Sequence, residues 1–431
     1  MRTRDVCLAI LLVLGAAGLR GESVSPAPDP AQARKLNNLG SLYFDRGDYS
    51  HAEAAFSQAG TMGDPRAWLN LGATLRAEAR FAEAEKAYRS ALESSGREAA
   101  ALYGLALVYR DAGRYSEAAE SARRALDLSE RVVPRDDLGM ATALDALGIV
   151  AQSQGETLEA LNFFRRALET AEGAPVADAL KLAEILVNLG NTERLSGDRV
   201  SASTHLGSAV SLLKGSNARS ARMAAALEGL ALAARDGGDL RHARALAQRA
   251  VDLLAGLAAA GHPDYSAALS NLGLIHQDLR DFRKARELFL EALRIDRQTL
   301  GQAHPRLGTD LNNLGVVSTQ LHDYANAETY FRQALAVDSR SVHAAFWMAN
   351  LGGLYAREDR SDDALEFYRA AAALLSNGSV PADLRVAAVL EEYATLLRQT
   401  GHFAEAEDIQ TKATRIRVKY VITNESRTSS T

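Results

Sequence analysis

The sequence predicts an all-α solenoid of ten helix-turn-helix units, and three observations carry that expectation. The first is a small residue that recurs along the chain at Gly40, Gly72, Ala106, Gly148, Gly190, Ala231, Gly273, Gly315, Gly352 and Ala394. Twelve and nineteen residues after each of these stands an alanine, from Ala52 and Ala59 in the first unit to Ala406 and Ala413 in the tenth. Small residues in fixed register mark places where two helices approach too closely for a larger side chain. The second observation is that every unit holds two stretches whose apolar residues recur at helical spacing. The third is composition: only 9 Pro in 431 residues, with 47% hydrophobic and 24% charged, suits a helical chain. That length alone would allow two or three ordinary domains, but the internal period overrides it.

The column residues are 32 and then 34 apart at the start, and later 41 or 42, with a single interval of 37 before Gly352. In the first unit Leu36, Leu39, Gly40 and Tyr43 share one helical face, and Tyr49, Ala52, Phe56 and Ala59 share the face of a second helix. Between them lies Asp45-Arg-Gly-Asp48. Gly47, Gly113, Gly155, Gly197, Gly238 and Gly401 fill this turn in six units, where glycine supplies the positive φ that ends a helix. Tyr88, Phe164, Phe289, Phe331 and Tyr368 repeat the aromatic of the second helix. The same position is Ala122 in unit three, Leu206 in five and Ala247 in six, so the middle is expected to be slimmer and more mobile. In unit ten it is Gln410, consistent with a polar terminal cap.

The ends read differently. Arg2 and Arg4 precede the apolar run Cys7–Leu14, followed by small residues up to Gly21. This is the pattern of a cleaved signal peptide over residues 1–21, and the run is too short for a spanning helix. Export to a periplasm or the outside is the expectation. Residues 22–31 then read as a flexible Pro-rich lead-in, 32–420 as the solenoid and 421–431 as a disordered tail. Loss of residues 1–21 would move the net charge from −5 to −7 and remove Cys7, the sole cysteine. The remaining chain could form no disulfide and no thiolate metal site.

The unit resembles the tetratricopeptide repeat, whose two helices carry a Leu-Gly pair, an alanine, an aromatic and a second alanine. Leu314-Gly315, Ala327, Phe331 and Ala334 match it, as do Leu147-Gly148, Ala160, Phe164 and Ala167. The 42-residue spacing, the LNNLG strings at 36–40 and 311–315, Gly-His-Pro at 261–263 and His304-Pro305 resemble the kinesin-light-chain type. The resemblance spans about residues 32–415. It implies a right-handed superhelix whose first helices line a concave groove that binds proteins or peptides.

Two polar series fall on that groove when counted from the column. Two residues before it stand Asn38, Asn70, Asn188, Asn271, Asn313 and Asn350; four after it stand Arg76, Arg110, Arg194, Arg235 and Arg398. Asparagine offers a donor and an acceptor together, which suits an extended peptide main chain. Arginine offers a planar fork to carboxylates, so the partner expected is an extended peptide with acidic side chains. The competing interpretation is that asparagine satisfies neighbouring helices and that Asp111, Asp236 and Asp278 neutralise the arginines.

No catalytic or cofactor-binding constellation emerges. The nine His are scattered, with no HExxH pair, no phosphate loop of the GxxxxGK[ST] type and no GxSxG elbow. No metal or cofactor is expected. The net charge of −5 gives no general attraction to nucleic acid, and Arg415, Arg417 and Lys419 form too small a cluster to supply one. Asn377-Gly-Ser379 and Asn424-Glu-Ser426 fit the glycosylation acceptor pattern, which matters only in a eukaryotic secretory pathway. The expected function is therefore a non-catalytic, exported scaffold or adaptor. Two alternatives are a part that stacks with itself or with envelope proteins, and a cytosolic kinesin-light-chain-like cargo adaptor if the N-terminus stays uncleaved.

Overall fold

The computed structural model describes residues 29–428 other than 94–95, 97, 133, 176–177, 215–220, 258–262, 303 and 376–383, with side chains up to Tyr420. Among the described residues the chain forms twenty helices and no strand. They pair in order: α1 (Pro30–Asp45) with α2 (Tyr49–Thr61), α3 (Pro65–Ala77) with α4 (Phe81–Leu92), α5 (Glu98–Asp111) with α6 (Tyr115–Arg131), and α7 (Asp137–Ser153) with α8 (Thr157–Glu172). Next come α9 (Ala179–Ser196) with α10 (Arg199–Lys214), α11 (Ala221–Asp236) with α12 (Leu240–Leu257), and α13 (Pro263–Asp278) with α14 (Phe282–Thr299). The last pairs are α15 (Pro305–Gln320) with α16 (Tyr324–Val337), α17 (Val342–Arg357) with α18 (Ser361–Leu375), and α19 (Leu384–Gln399) with α20 (Phe403–Thr428). These are the ten units expected from the columns.

Caps and turns are set locally. Asp29 precedes Pro30 and accepts a hydrogen bond from the Ala31 amide at 2.9 Å; Asp64 does the same for Arg66 ahead of Pro65 at 3.0 Å. Proline at the first helical position gives up a donor that had no intrahelical partner. This cap starts α1 inside the segment read as a flexible lead-in. At the other end α20 continues to Thr428, within the segment read as a disordered tail. Residues 1–28, which hold the proposed signal peptide, lie outside the described residues, as do Gly261, His262 and Asn377.

Every turn inside a unit places the residue seven after the column in the left-handed region. Six are the expected glycines, with φ from 72° at Gly47 to 91° at Gly197. The other four are Ala79, Arg280, His322 and Asp359, with φ of 57–62°. The turn geometry is thus common to all units even where no glycine signals it.

The column meets the aromatic of its own unit. A Cβ added at Gly40, Gly148, Gly273 or Gly315 would sit 2.5–2.7 Å from Phe56, Phe164, Phe289 or Phe331, and one at Gly72 would sit 2.7 Å from Tyr88. No carbon fits there. Where the column is alanine, in Ala106, Ala231 and Ala394, the opposed residue is Ala122, Ala247 or Gln410, none of them aromatic. Ala122 and Ala247 are as buried as the phenylalanines they replace.

Odd-numbered helices of successive units touch, as α5 does α7 and α9 does α11, whereas the even-numbered helices make no comparable contact with one another. The odd helices therefore form the inner wall and the even helices splay outside. Burial, with the nearby Asp264 and Glu78 carboxylates, pushes the Tyr49 phenol up to about 12.

Candidate functional site

The inner wall is where the sequence places both polar series, and the structure gives most of their members partners in a neighbouring unit. Asn70 donates to Asn37 at 2.9 Å, Asn188 to Asp145 at 2.9 Å, Asn271 to Glu228 at 2.7 Å and Asn350 to Asn312 at 2.8 Å. Each bond runs from two before the column of one unit to three before the column of the unit preceding it. Asn313 is half-buried at the same register, and Asn38, in the first described unit, is exposed. Asparagine here is a rung between repeats, because a buried amide must find a partner and the next wall helix supplies it.

The arginines form a second set of rungs. Arg194 Nη1 lies 2.8 Å from Asp236 Oδ2, Arg235 pairs with Asp278, and Arg76 Nη1 lies 3.7 Å from Asp111 Oδ2. Arg110 also turns to Asp111, with Nε at 2.7 Å, and Arg398 donates to Gln410 at 2.8 Å. Four of the five guanidiniums expected to meet acidic ligands thus stand against carboxylates of the chain itself, Arg76 and Arg110 sharing Asp111, Arg194 facing Asp236 and Arg235 facing Asp278. A paired, half-buried arginine offers little to a second carboxylate.

Two polar clusters that the sequence reading did not single out stand beside these rungs. In the first, Tyr103 of α5 reaches two units along, its hydroxyl 3.4 Å from Glu184 Oε1 of α9, while the Lys181 ammonium sits 5.2 Å from the centre of its ring. Lys181 also lies 3.5 Å from Asp145 Oδ2 and 3.3 Å from Glu184. Burial, partly offset by Lys181, pushes the Asp145 carboxyl up to about 6. Burial works to lower the Lys181 ammonium, but Tyr103, Asp145 and Glu184 outweigh it and raise its pKa. Side chains of units three, four and five thus converge at one place on the wall. The available signal was Asp145 itself, a carboxylate inside the apolar run 143–147.

The second cluster joins units seven and eight. Arg306 Nε lies 2.9 Å from the fully buried Asp296, its Nη2 donates to Ser266 at 2.9 Å, and Ser266 donates to Asp296. Ser270 donates to Asp310 at 3.2 Å. Burial, with Asp296 beside it, pushes the Asp310 carboxyl up to about 7. Burial likewise lifts Glu228 to about 7. Among the described residues no group of three His, Cys, Asp or Glu could hold a metal ion. No described helix is long and apolar enough to cross a membrane.

The arrangement offers hydrogen bonding and charge along a curved wall. Several solved structures are similar to the chain, two of them with a TM-score above 0.5 that shows a shared fold. A Rap protein in complex with competence and sporulation factor is 15% identical, with a TM-score of 0.57, over 83% of this chain and 99% of that one. A STAND ATPase with a tetratricopeptide repeat sensor from Pyrococcus horikoshii is 14% identical, with a TM-score of 0.54, over 88% of this chain and 53% of that one. A kinesin-light-chain-like repeat protein from Podosopora anserina is 20% identical, with a TM-score of 0.41, over 47% of this chain and 98% of that one. None of the curated proteins matches the chain. Tetratricopeptide repeat models match residues 33–59, 64–131, 97–173, 139–215, 264–340 and 343–417. With most of its length accounted for in this way, the chain belongs to the tetratricopeptide repeat family.

Proposed function

We propose that the protein is a non-catalytic scaffold that holds a protein or peptide partner along its inner wall, centred on units three to five. The observation that carries this reading is the convergence of Tyr103, Lys181 and Glu184 from units two apart, on a wall otherwise closed by rungs. The half-buried Tyr103 ring and the partly exposed Glu184 carboxylate give an incoming chain an apolar face and an acceptor at one place. The Rap protein seen with competence and sporulation factor supports a bound partner on this fold. Because most of the arginines already face aspartates while the Glu184 carboxylate stays partly exposed beside Tyr103, the partner favoured there is neutral or basic, not acidic. Arg2, Arg4 and the apolar run that follows support an exported protein, a reading that N-terminal sequencing of the protein from its host decides.

The test is capture of partners from host extract on the immobilised chain, quantified by mass spectrometry. Tyr103→Ala combined with Glu184→Gln is expected to lower retention of the captured partner by roughly tenfold with an unchanged helical spectrum. Arg194→Ala combined with Arg235→Ala should leave retention in place. Loss of the partner in the arginine variant alone would restore the acidic-ligand interpretation. Retention unchanged in both would end the inner-wall reading.

A further inference from the structure

The two ends of the solenoid carry the two halves of the junction that joins its units. Inside the chain, the residue nine after the column is aromatic in five units, Tyr49, Phe81, Tyr115, Phe282 and Tyr324, and each is partly covered. The cover comes from the next unit: Tyr115 lines one cavity with Leu147 and Val150, which stand one before and two after their own column residue, Gly148. Those two are only 4% and 1% exposed. In unit ten the same aromatic is Phe403, which is 69% exposed. In unit one the covering residues are Leu39 and Leu42, which are 41% and 45% exposed. The end face of α20 carries Glu407, Gln410, Thr411, Thr414 and Arg415, and among these polar residues Phe403 and Val418 stand exposed as its apolar positions.

The polar rungs match as well. An internal junction needs an asparagine two before the column donating to a polar residue three before the preceding column; unit one offers the exposed Asn38 and unit ten offers Glu391. The second rung needs an arginine four after one column facing an aspartate five after the next. Unit ten offers the exposed Arg398, and unit one offers the exposed Asp45. Glu391 accepts from Arg417 at 2.5 and 2.7 Å, but a carboxylate retains lone pairs for a further donor. Arg398 would exchange Gln410 for Asp45, a charged partner for a neutral one.

We propose that the occupant of each end is a second copy of this chain, with α1 of one copy stacked against α19 and α20 of another as an eleventh unit. Leu39 and Leu42 cover Phe403, Asn38 bonds Glu391, and Asp45 pairs with Arg398. Such a contact is heterologous, so it leaves one end of each kind open and assembly lengthens with concentration.

Sedimentation of the full chain over a wide concentration range tests this. The expected result is reversible growth beyond a dimer with rising concentration. Leu42→Glu and Phe403→Glu, both at exposed positions where folding is not at stake, should each raise the half-association concentration by roughly tenfold or more. Asp45→Arg and Arg398→Asp should each weaken association alone, and an equimolar mixture of the two should recover it, because each then meets an opposite charge. A single species at all concentrations would overturn the proposal and leave residues 1–28 or another protein as the cover. Association untouched by Leu42→Glu and Phe403→Glu would place the interface elsewhere and overturn it equally.

Discussion

Unit eight and unit three solve the same packing problem in opposite ways. In unit eight the column is Gly315 and Phe331 lies flat against it, 2.5 Å from where a Cβ would stand. In unit three the column is Ala106 and the opposed residue is Ala122. Unit six repeats the second solution with Ala231 and Ala247. In units three and six the residue two before the column is glycine, and it receives the large side chain of the preceding unit. A Cβ at Gly104 would be 2.1 Å from Tyr88, and one at Gly229 would be 2.6 Å from Leu206. Those positions carry asparagine in six of the other units. The rung is therefore given up where a neighbour's side chain needs the space. The lesson is that volume is conserved across the pair of helices and across the junction, not at any one position.

The contrast can be broken at its strong end first. Phe331→Ala should cost about 3–5 kcal/mol, measured by chemical denaturation, because the cavity faces a backbone that cannot collapse. Gly315→Ala alone should cost about 1–3 kcal/mol through overpacking. In the Phe331→Ala background the same substitution should change sign and stabilise by up to about 1 kcal/mol, since it converts unit eight to the pattern of unit three and removes a helical glycine. Additive effects would mean that the two residues do not share one space.

The rungs of the two kinds of unit should differ in pH response. The Asn271–Glu228 rung, rooted in the alanine unit six, contains a carboxyl raised from 4.5 to about 7; the Asn350–Asn312 rung, rooted in unit eight, does not titrate. A raised carboxyl binds more protons folded than unfolded between those values, so its contribution is present at low pH and is lost as pH rises through about 7. Glu228→Gln should flatten the fall in stability across that window, and Asn312→Asp should steepen it.

The smallest effect lies in the turns. Ala79, at φ 57°, occupies the place that Gly113 takes at φ 74° in the next unit. Relief of the left-handed strain, about 1–2 kcal/mol, outweighs the added freedom of glycine in the unfolded chain, about 0.5–1 kcal/mol. Ala79→Gly should therefore raise stability by roughly 0.5–1 kcal/mol in thermal denaturation. A loss would show that the turn is not strained.

The fold was legible because its determinants are local and repeated. Gly40, Ala52, Phe56 and Ala59 lie within one unit, so their spacing alone sets the helix pair and its register. The caps at Asp29 and Asp64 are equally local, although Pro30 read as part of a loose leader until its cap was seen. The left-handed turns at Arg280 and His322 were not legible, because nothing in those side chains announces positive φ. Of the candidate site, the positions were legible and their engagement was not. Arg194 and Asp236 stand 42 residues apart, and whether they meet depends on how one unit sits on the next.

By itself the sequence determined a ten-unit helical array, where each helix pair begins and turns, and which faces are buried, since these follow from periodic small and apolar residues in short range. Only the tertiary structure decided that Asn70, Asn188, Asn271 and Asn350 bind neighbouring repeats, that Arg194 and Arg235 meet Asp236 and Asp278, and that Tyr103 reaches Lys181 and Glu184. Those outcomes turn on distances of a few ångströms between units, which superhelical curvature fixes and residue spacing does not.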